Sequence, residues 1–243
     1  MRAALILVST FVLAACNMAA DAQRGEEGSG GAGQAAQRSY DLTGFDSVSL
    51  AGPHDVVVRI GNAHSVRAEG DSDVLDKLEI RVDGRNLEIG MKRGQWNFRN
   101  KPKTTIYVTM PAIRGAAIAG SGDMRIDRAE GDEFSASIGG SGDMDVAALR
   151  VGSANFSVAG SGNVRAAGSA GRSKVSIAGS GDVDVGSLES REAKVSIVGS
   201  GNVRARAMET ADISIMGSGD VEISGSAKCS VSKMGSGDVR CTG

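Results

Sequence analysis

Seven Asp or Asn side chains recur behind a Gly-Ser-Gly triplet, at Asp123, Asp143, Asn163, Asp182, Asn202, Asp220 and Asp238. Carboxylates stacked in this way are a donor set for a hard cation such as calcium. The natural comparison is the calcium-binding toxin repeat Gly-Gly-x-Gly-x-Asp, with its period of about nine residues. Here Gly139-Gly140-Ser141-Gly142-Asp143 brings the Asp one place early, and the period is twice as long. The spacing therefore favours corner residues that bond their own neighbouring backbone over metal ligands.

Other reactive side chains are sparse. His54 and His64 stand ten residues apart with no recognisable nucleophile or ligand set beside them, and are expected to be ordinary surface histidines. Trp96 and Phe98 lie in the basic run Met91 to Lys103, the one stretch combining aromatics with several cations. They could touch anionic glycan or lipid headgroups, but the favoured expectation is a loop whose Trp covers an open end of the fold. The many Gly-x-Gly pairs belong to the repeat and do not make a phosphate-binding loop or a dinucleotide fingerprint. No catalytic residue, cofactor or metal is assigned. A formal charge of -2 supplies no basic field for nucleic acid.

The three cysteines divide by position. Arg2, an apolar stretch from Ala3 to Leu13 and small residues up to Cys16 read as an export signal, too short to remain as a membrane-spanning helix. Leu13-Ala14-Ala15-Cys16 resembles a bacterial lipobox, which implies cleavage before Cys16 and a lipid on that residue. The partner would then be the membrane, with outer-membrane placement favoured by Asn17. Residues 16–38, mostly Ala, Gly, Gln, Glu and Ser, are expected to form a disordered tether. Cys229 and Cys241 remain, an even pair for an oxidising compartment and a candidate disulfide closing the last repeat.

Those residues must be positioned by the repeat itself. Gly-Ser-Gly-Asp/Asn begins at Gly120, Gly140, Gly160, Gly179, Gly199, Gly217 and Gly235, a spacing of 18 to 20 residues. Around each copy apolar residues alternate with polar ones, as in half-buried strands. Ile118, Ile138, Val158, Ile177, Ile197, Ile215 and Lys233 stand two before the first Gly. Met124, Met144, Val164, Val183, Val203, Val221 and Val239 stand four after it. Each repeat reads as strand, glycine corner, strand and second turn. It cannot bury its apolar side alone, so the copies must stack.

Stacking explains the charges. Five places after the Gly stand Arg125, Asp145, Arg165, Asp184, Arg204, Glu222 and Arg240, opposite in sign at every step. In a parallel in-register stack this is a ladder of attractive neighbours, which an antiparallel meander would scatter. The predicted fold class is all-β, a parallel β-helix over residues 39–243 behind a signal peptide at 1–15. A degenerate copy at Val48 to Val58 places the start of the solenoid near Tyr40. Between it and Gly120, Leu78 to Val82 and Leu87 to Ile89 predict an inserted β-hairpin, and Thr104 to Met110 a further strand. The outward column Ala117, Ser137, Ser157, Ser176, Ser196, Ser214 and Ser232 predicts a flat, small, hydroxyl-bearing face; the favoured expectation is a solvated sheet face, with contact to a polysaccharide or a partner strand as the alternative.

The Phe45 to Ile60 opening, the Leu87-Glu88-Ile89 strand, Tyr107-Val108-Thr109-Met110-Pro111 and the repeated corners resemble the bacterial head GIN domain family. That group is named for auto-transporter adhesins and also classed as a domain of unknown function. The resemblance implies a β-helix on the cell envelope, often as a lipoprotein, and brings no catalytic residues. The reading is a non-catalytic, lipid-anchored envelope protein acting in adhesion, surface interaction or envelope organisation. The alternative is a polysaccharide-binding or polysaccharide-active β-helix, although its acids are spread in ladders instead of clustered in a groove.

Overall fold

The structure, a computed structural model, describes residues 34–94 and 104–242. Its N-terminal part carries β1 (Ala35–Tyr40), β2 (Ser47–Gly52), β3 (Asp55–Ile60), β4 (Ser65–Asp71), the one-turn α1 (Ser72–Leu75), β5 (Leu78–Asp83), β6 (Asn86–Met91) and β7 (Thr105–Met110). The repeats follow as β8 (Gly115–Gly120), β9 (Met124–Ile126), β10 (Ala129–Gly140), β11 (Met144–Gly160), β12 (Val164–Gly179) and β13 (Val183–Gly199). They end with β14 (Val203–Gly217), β15 (Val221–Ser224), β16 (Lys228–Gly235) and β17 (Val239–Thr242). The fold is a parallel β-solenoid.

Each Gly-Ser-Gly corner lies over the corner of the coil before it. Gly140 pairs with Gly120 and Gly160, and the register continues to Gly235. The contact is close: a Cβ added at Gly140, whose φ is 133°, would stand 2.3 Å from the Gly120 carbonyl oxygen. At Gly142 it would stand 2.0 Å from the Gly122 oxygen. Two glycines per corner are therefore imposed by the backbone of the neighbouring coil. The inward columns are buried as the alternation predicts, with Phe134 and Phe156 the largest side chains inside.

The second turn of each repeat is not a break. From β10 to β14 the chain keeps strand pairing for 12 to 17 residues at a time, with register shifts such as that between Val146 and Leu149. Bulged strands bend without losing their ladder. Glycines such as Gly131 (φ 145°) and Gly168 (φ 124°) fall in this turn, but at no position fixed from coil to coil.

The N-terminal end departs from chain order. β2 and β3, the degenerate copy, pair in parallel with β8 and β9 on one side and with β6 and β7 on the other. The predicted insertion thus supplies a further layer beneath the copy at which the solenoid was expected to start. The hairpin β5–β6 forms as expected, turning at Gly84 with φ 59°. β4 adds antiparallel to β7 and β1 to β4, so Ala35 to Arg38, read from composition as tether, form a strand. Six backbone pairings to β4 order this segment with little apolar burial of its own. Cys16 and the expected tether up to residue 33 lie outside the described residues.

The two ends of the core are unequal. Leu75, Leu78 and Met91 are buried at the N-terminal end, under α1 and the hairpin. At the other end β16 and β17 have a coil on one side only. Val231 occupies an inward column yet is 48% exposed, and Lys233 and Cys241 are exposed as well. Inward-type spacing does not bury a side chain that no further coil covers.

Candidate functional site

The Asp/Asn column forms a hydrogen-bonded ladder along the solenoid. The backbone N–H of Asp143 donates to Oδ1 of Asp123 at 3.1 Å, and that of Asn163 to Oδ1 of Asp143 at 3.0 Å. Asp182 donates to Asn163 (3.1 Å), Asn202 to Asp182 (2.8 Å), Asp220 to Asn202 (3.0 Å) and Asp238 to Asp220 (2.8 Å). Each corner side chain therefore accepts from the equivalent residue of the next coil, where its own neighbouring backbone had been expected. The stacking that brings the glycines together also brings each Oδ1 within reach of the next N–H. Asn163 and Asn202 add an Nδ2 donor to the same Oδ1 of the preceding Asp, at 2.9 and 3.0 Å.

Beside it runs the charge ladder. Asp145 pairs in register with Arg125 and Arg165, Arg165 with Asp184, Arg204 with Asp184 and Glu222, and Glu222 with Arg240. Arg204 lies 3.8 Å from Asp184 and 3.6 Å from Glu222. A shallow groove of about 350 Å³ separates the two columns, bordered by Asp182, Asp184, Asn202, Arg204, Asp220 and Glu222. Charged groups on its wall face opposite charges along the stack, and the corner carboxylates accept backbone hydrogen bonds. Among the described residues no three His, Cys, Asp or Glu side chains are placed to hold a metal ion.

His54 is buried, contrary to expectation, and His64 is half-buried. His54 stands at the corner position that later coils give to glycine, and its ring is buried with Nε2 3.3 Å from Met91 Sδ. Burial holds its pKa below the ordinary value, opposed by the charge of Asp55. His64 packs edge-on against Phe45, ring centroids 4.6 Å apart, with a ring nitrogen 3.0 Å from the Phe45 carbonyl oxygen. Both lie at the N-terminal end of the solenoid. There Asp46 accepts Nη2 and Nε of Arg85 at 2.7 and 2.9 Å; this hydrogen bond, chiefly, holds its carboxyl below the usual carboxylate range.

Cys229 on β16 and Cys241 on β17 are joined in a disulfide, Cα atoms 6.7 Å apart, across the uncovered last coil. Trp96 and Phe98 lie outside the described residues. The Ser column forms an outward face beside a column that sequence reading passed over, the residue immediately before each corner glycine. That column rises from Gly139 and Ala159 to Val198, Met216 and Met234, and it is exposed throughout this span. The signal was present in the repeat alignment, as small residues giving way to large ones at a single position.

A family model described as "Putative auto-transporter adhesin, head GIN domain" matches residues 44–227. The chain belongs to the head GIN domain family. No curated protein matches it. Solved structures similar to this head GIN domain include a "putative adhesin" of Bacteroides fragilis, 22% identical, with a TM-score of 0.80 over 86% of this chain and 97% of the other. A "putative lipid binding protein" of Parabacteroides distasonis is also 22% identical, with a TM-score of 0.68 and the same coverage. A "putative adhesin" of Parabacteroides merdae is 17% identical, with a TM-score of 0.65 over 87% and 97%. At these identities the likeness establishes the fold of the head GIN domain. Among its described residues no helix is long and apolar enough to cross a membrane.

Proposed function

We propose that this protein is a non-catalytic adhesion module of the bacterial cell envelope, anchored by lipid on Cys16 and presenting the solenoid as a rigid contact surface. The observation that carries the reading is the use made of its polar side chains. Corner Asp and Asn side chains accept hydrogen bonds from the next coil, and the charged column pairs along the stack. What is left for an outside partner is surface shape. The family's adhesin description and the similar solved structures support a surface role over an enzymatic one.

Cells making the full chain should bind to abiotic or host-derived surfaces more strongly than cells lacking it. Labelled palmitate should enter the wild-type chain and not Cys16→Ser. Equal adhesion with and without the protein would overturn the proposed role; labelling of Cys16→Ser would overturn the anchor.

A further inference from the structure

The outward sheet before the corners has a graded profile. In the column one residue before each corner glycine, register runs from Ala51, beside which Gly90 of β6 lies, through Ala119 and Gly139 to Ala159 and Ala178. It then climbs through Val198, 53% exposed, Met216, 56%, and Met234, 70%. At the low end the small residues floor an open recess of about 570 Å³, walled by Glu79, Arg81 and Glu88. At the high end the methionines form a ridge. Exposed Met on a soluble surface is a mark of contact sites, because the flexible thioether moulds to apolar partners.

Recess and ridge occupy opposite ends of one column, so the partner that fits both is a second copy with its coil order reversed. We propose that this face packs against itself in a two-fold dimer whose axis runs along the strands at the level of Ala159. Such an interface is isologous, each contact occurring twice. Ala159 then meets itself, Gly139 meets Ala178 of the second copy, Ala119 meets Val198, Ala51 meets Met216 and Gly90 meets Met234. Small faces large at the three outer steps, while the small pair Gly139 and Ala178 lies beside the axis. The Ser column lies against its own counterpart, Ser157 on the axis and Ser137 opposite Ser176.

The charges of the next column agree. Lys174, Lys194 and Asp212 fall opposite Ser135, Gly115 and Ser47 of the second copy, so none is pressed against a like charge. Nine rungs at about 4.8 Å and three outward columns at about 6.6 Å make a patch roughly 38 by 13 Å between side-chain centres. With side-chain width included, each copy covers about 650 Å², and the total of about 1,300 Å² falls within the range of specific interfaces. This inference is independent of the adhesion role.

The test is oxidative crosslinking of the full chain carrying Ala159→Cys, with Arg165→Cys, beyond the corner, as the control. Peptide mass analysis separates a 159–159 bond from the native cysteines. Ala159→Cys should give a covalent dimer at least tenfold faster than Arg165→Cys. Adding Met216→Glu and Met234→Glu, or Ala119→Arg at the recess, should reduce crosslinking at least tenfold, with far-UV circular dichroism and melting temperature unchanged since these side chains point outward. Equal rates for the two cysteines, indifference to the ridge and recess substitutions, or a monomer in sedimentation at 100 µM (roughly the upper end for a weak specific contact) would each overturn the dimer.

Discussion

Asn163 donates twice to one oxygen of Asp143: its backbone N–H and its Nδ2 both reach Oδ1, at 3.0 and 2.9 Å. An Asp in its place would lose the second bond and join Asp123, Asp143 and Asp182 into an unbroken run of carboxylates. Like charges one rung apart repel, and the repulsion is screened by salt. Asn163→Asp is expected to destabilise the protein by about 1 kcal/mol at low ionic strength, and by less in 0.5 M salt (a Debye length of roughly 4 Å). Urea midpoints at the two salt concentrations check this; equal losses would mean the hydrogen bond alone matters.

Gly162 is held to glycine by its neighbours. A Cβ there would stand 2.2 Å from the Gly142 oxygen and 2.8 Å from Cγ2 of Ile138. Gly162→Ala should force the two coils apart and cost about 2–3 kcal/mol, whereas Ser161→Ala, at the exposed tip between the two glycines, should be near neutral. The contrast in denaturant midpoint between these adjacent substitutions is the measurement.

His54 makes stability depend on pH. Burial lowers its folded pKa from an ordinary value of 6.5, so the unfolded chain binds a proton that the folded chain refuses. Stability therefore rises with pH between the folded and unfolded values, and is lost as pH falls below about 6.5. Unfolding midpoints should fall between pH 7.5 and 5 in the wild type (a window chosen around the ordinary value of roughly 6.5). A His54→Gln variant should show a flatter profile over that window, and an unaltered slope would remove His54 as the cause.

The Cys229–Cys241 bond closes a short loop at the end with no covering coil. Intact mass with and without reductant and alkylation should show two masked thiols in protein from an oxidising compartment. In Cys229→Ser, amide exchange should rise in β16 and β17 while β11 to β13, covered on both sides, stay protected. Uniform loss of protection would mean that the coils unfold as one unit.

Much of this architecture was legible because a stack repeats its constraints. The alternating signs at Arg125, Asp145 and Arg165 anticipate the register of the stacked coils, and the paired glycines announce where backbones touch. What escaped was whatever occurs once. Nothing local marks β6–β7 as a layer stacked beneath β2–β3, because that pairing is set by a detour of the chain and not by a repeated motif. His54 looked like a surface residue for the same reason: its burial depends on Met91, brought to it only by that layer. The Asp/Asn column was read as a corner device, but its partner was sought within one coil, since sequence proximity hides a bond made 18 to 20 residues away.

A chain whose every rung hands one acceptor to the rung above is modular in its length. Because Oδ1 at one corner needs only an N–H from the next, a splice joining equivalent positions two coils apart, such as Asp143 to Val183, would remove two coils and leave both the hydrogen bonds and the alternating charges matched. Homologues should therefore differ in size by whole rungs, each shifting the far tip by about 4.8 Å. Reach becomes a property that natural selection can adjust in fixed increments without redesigning the interior.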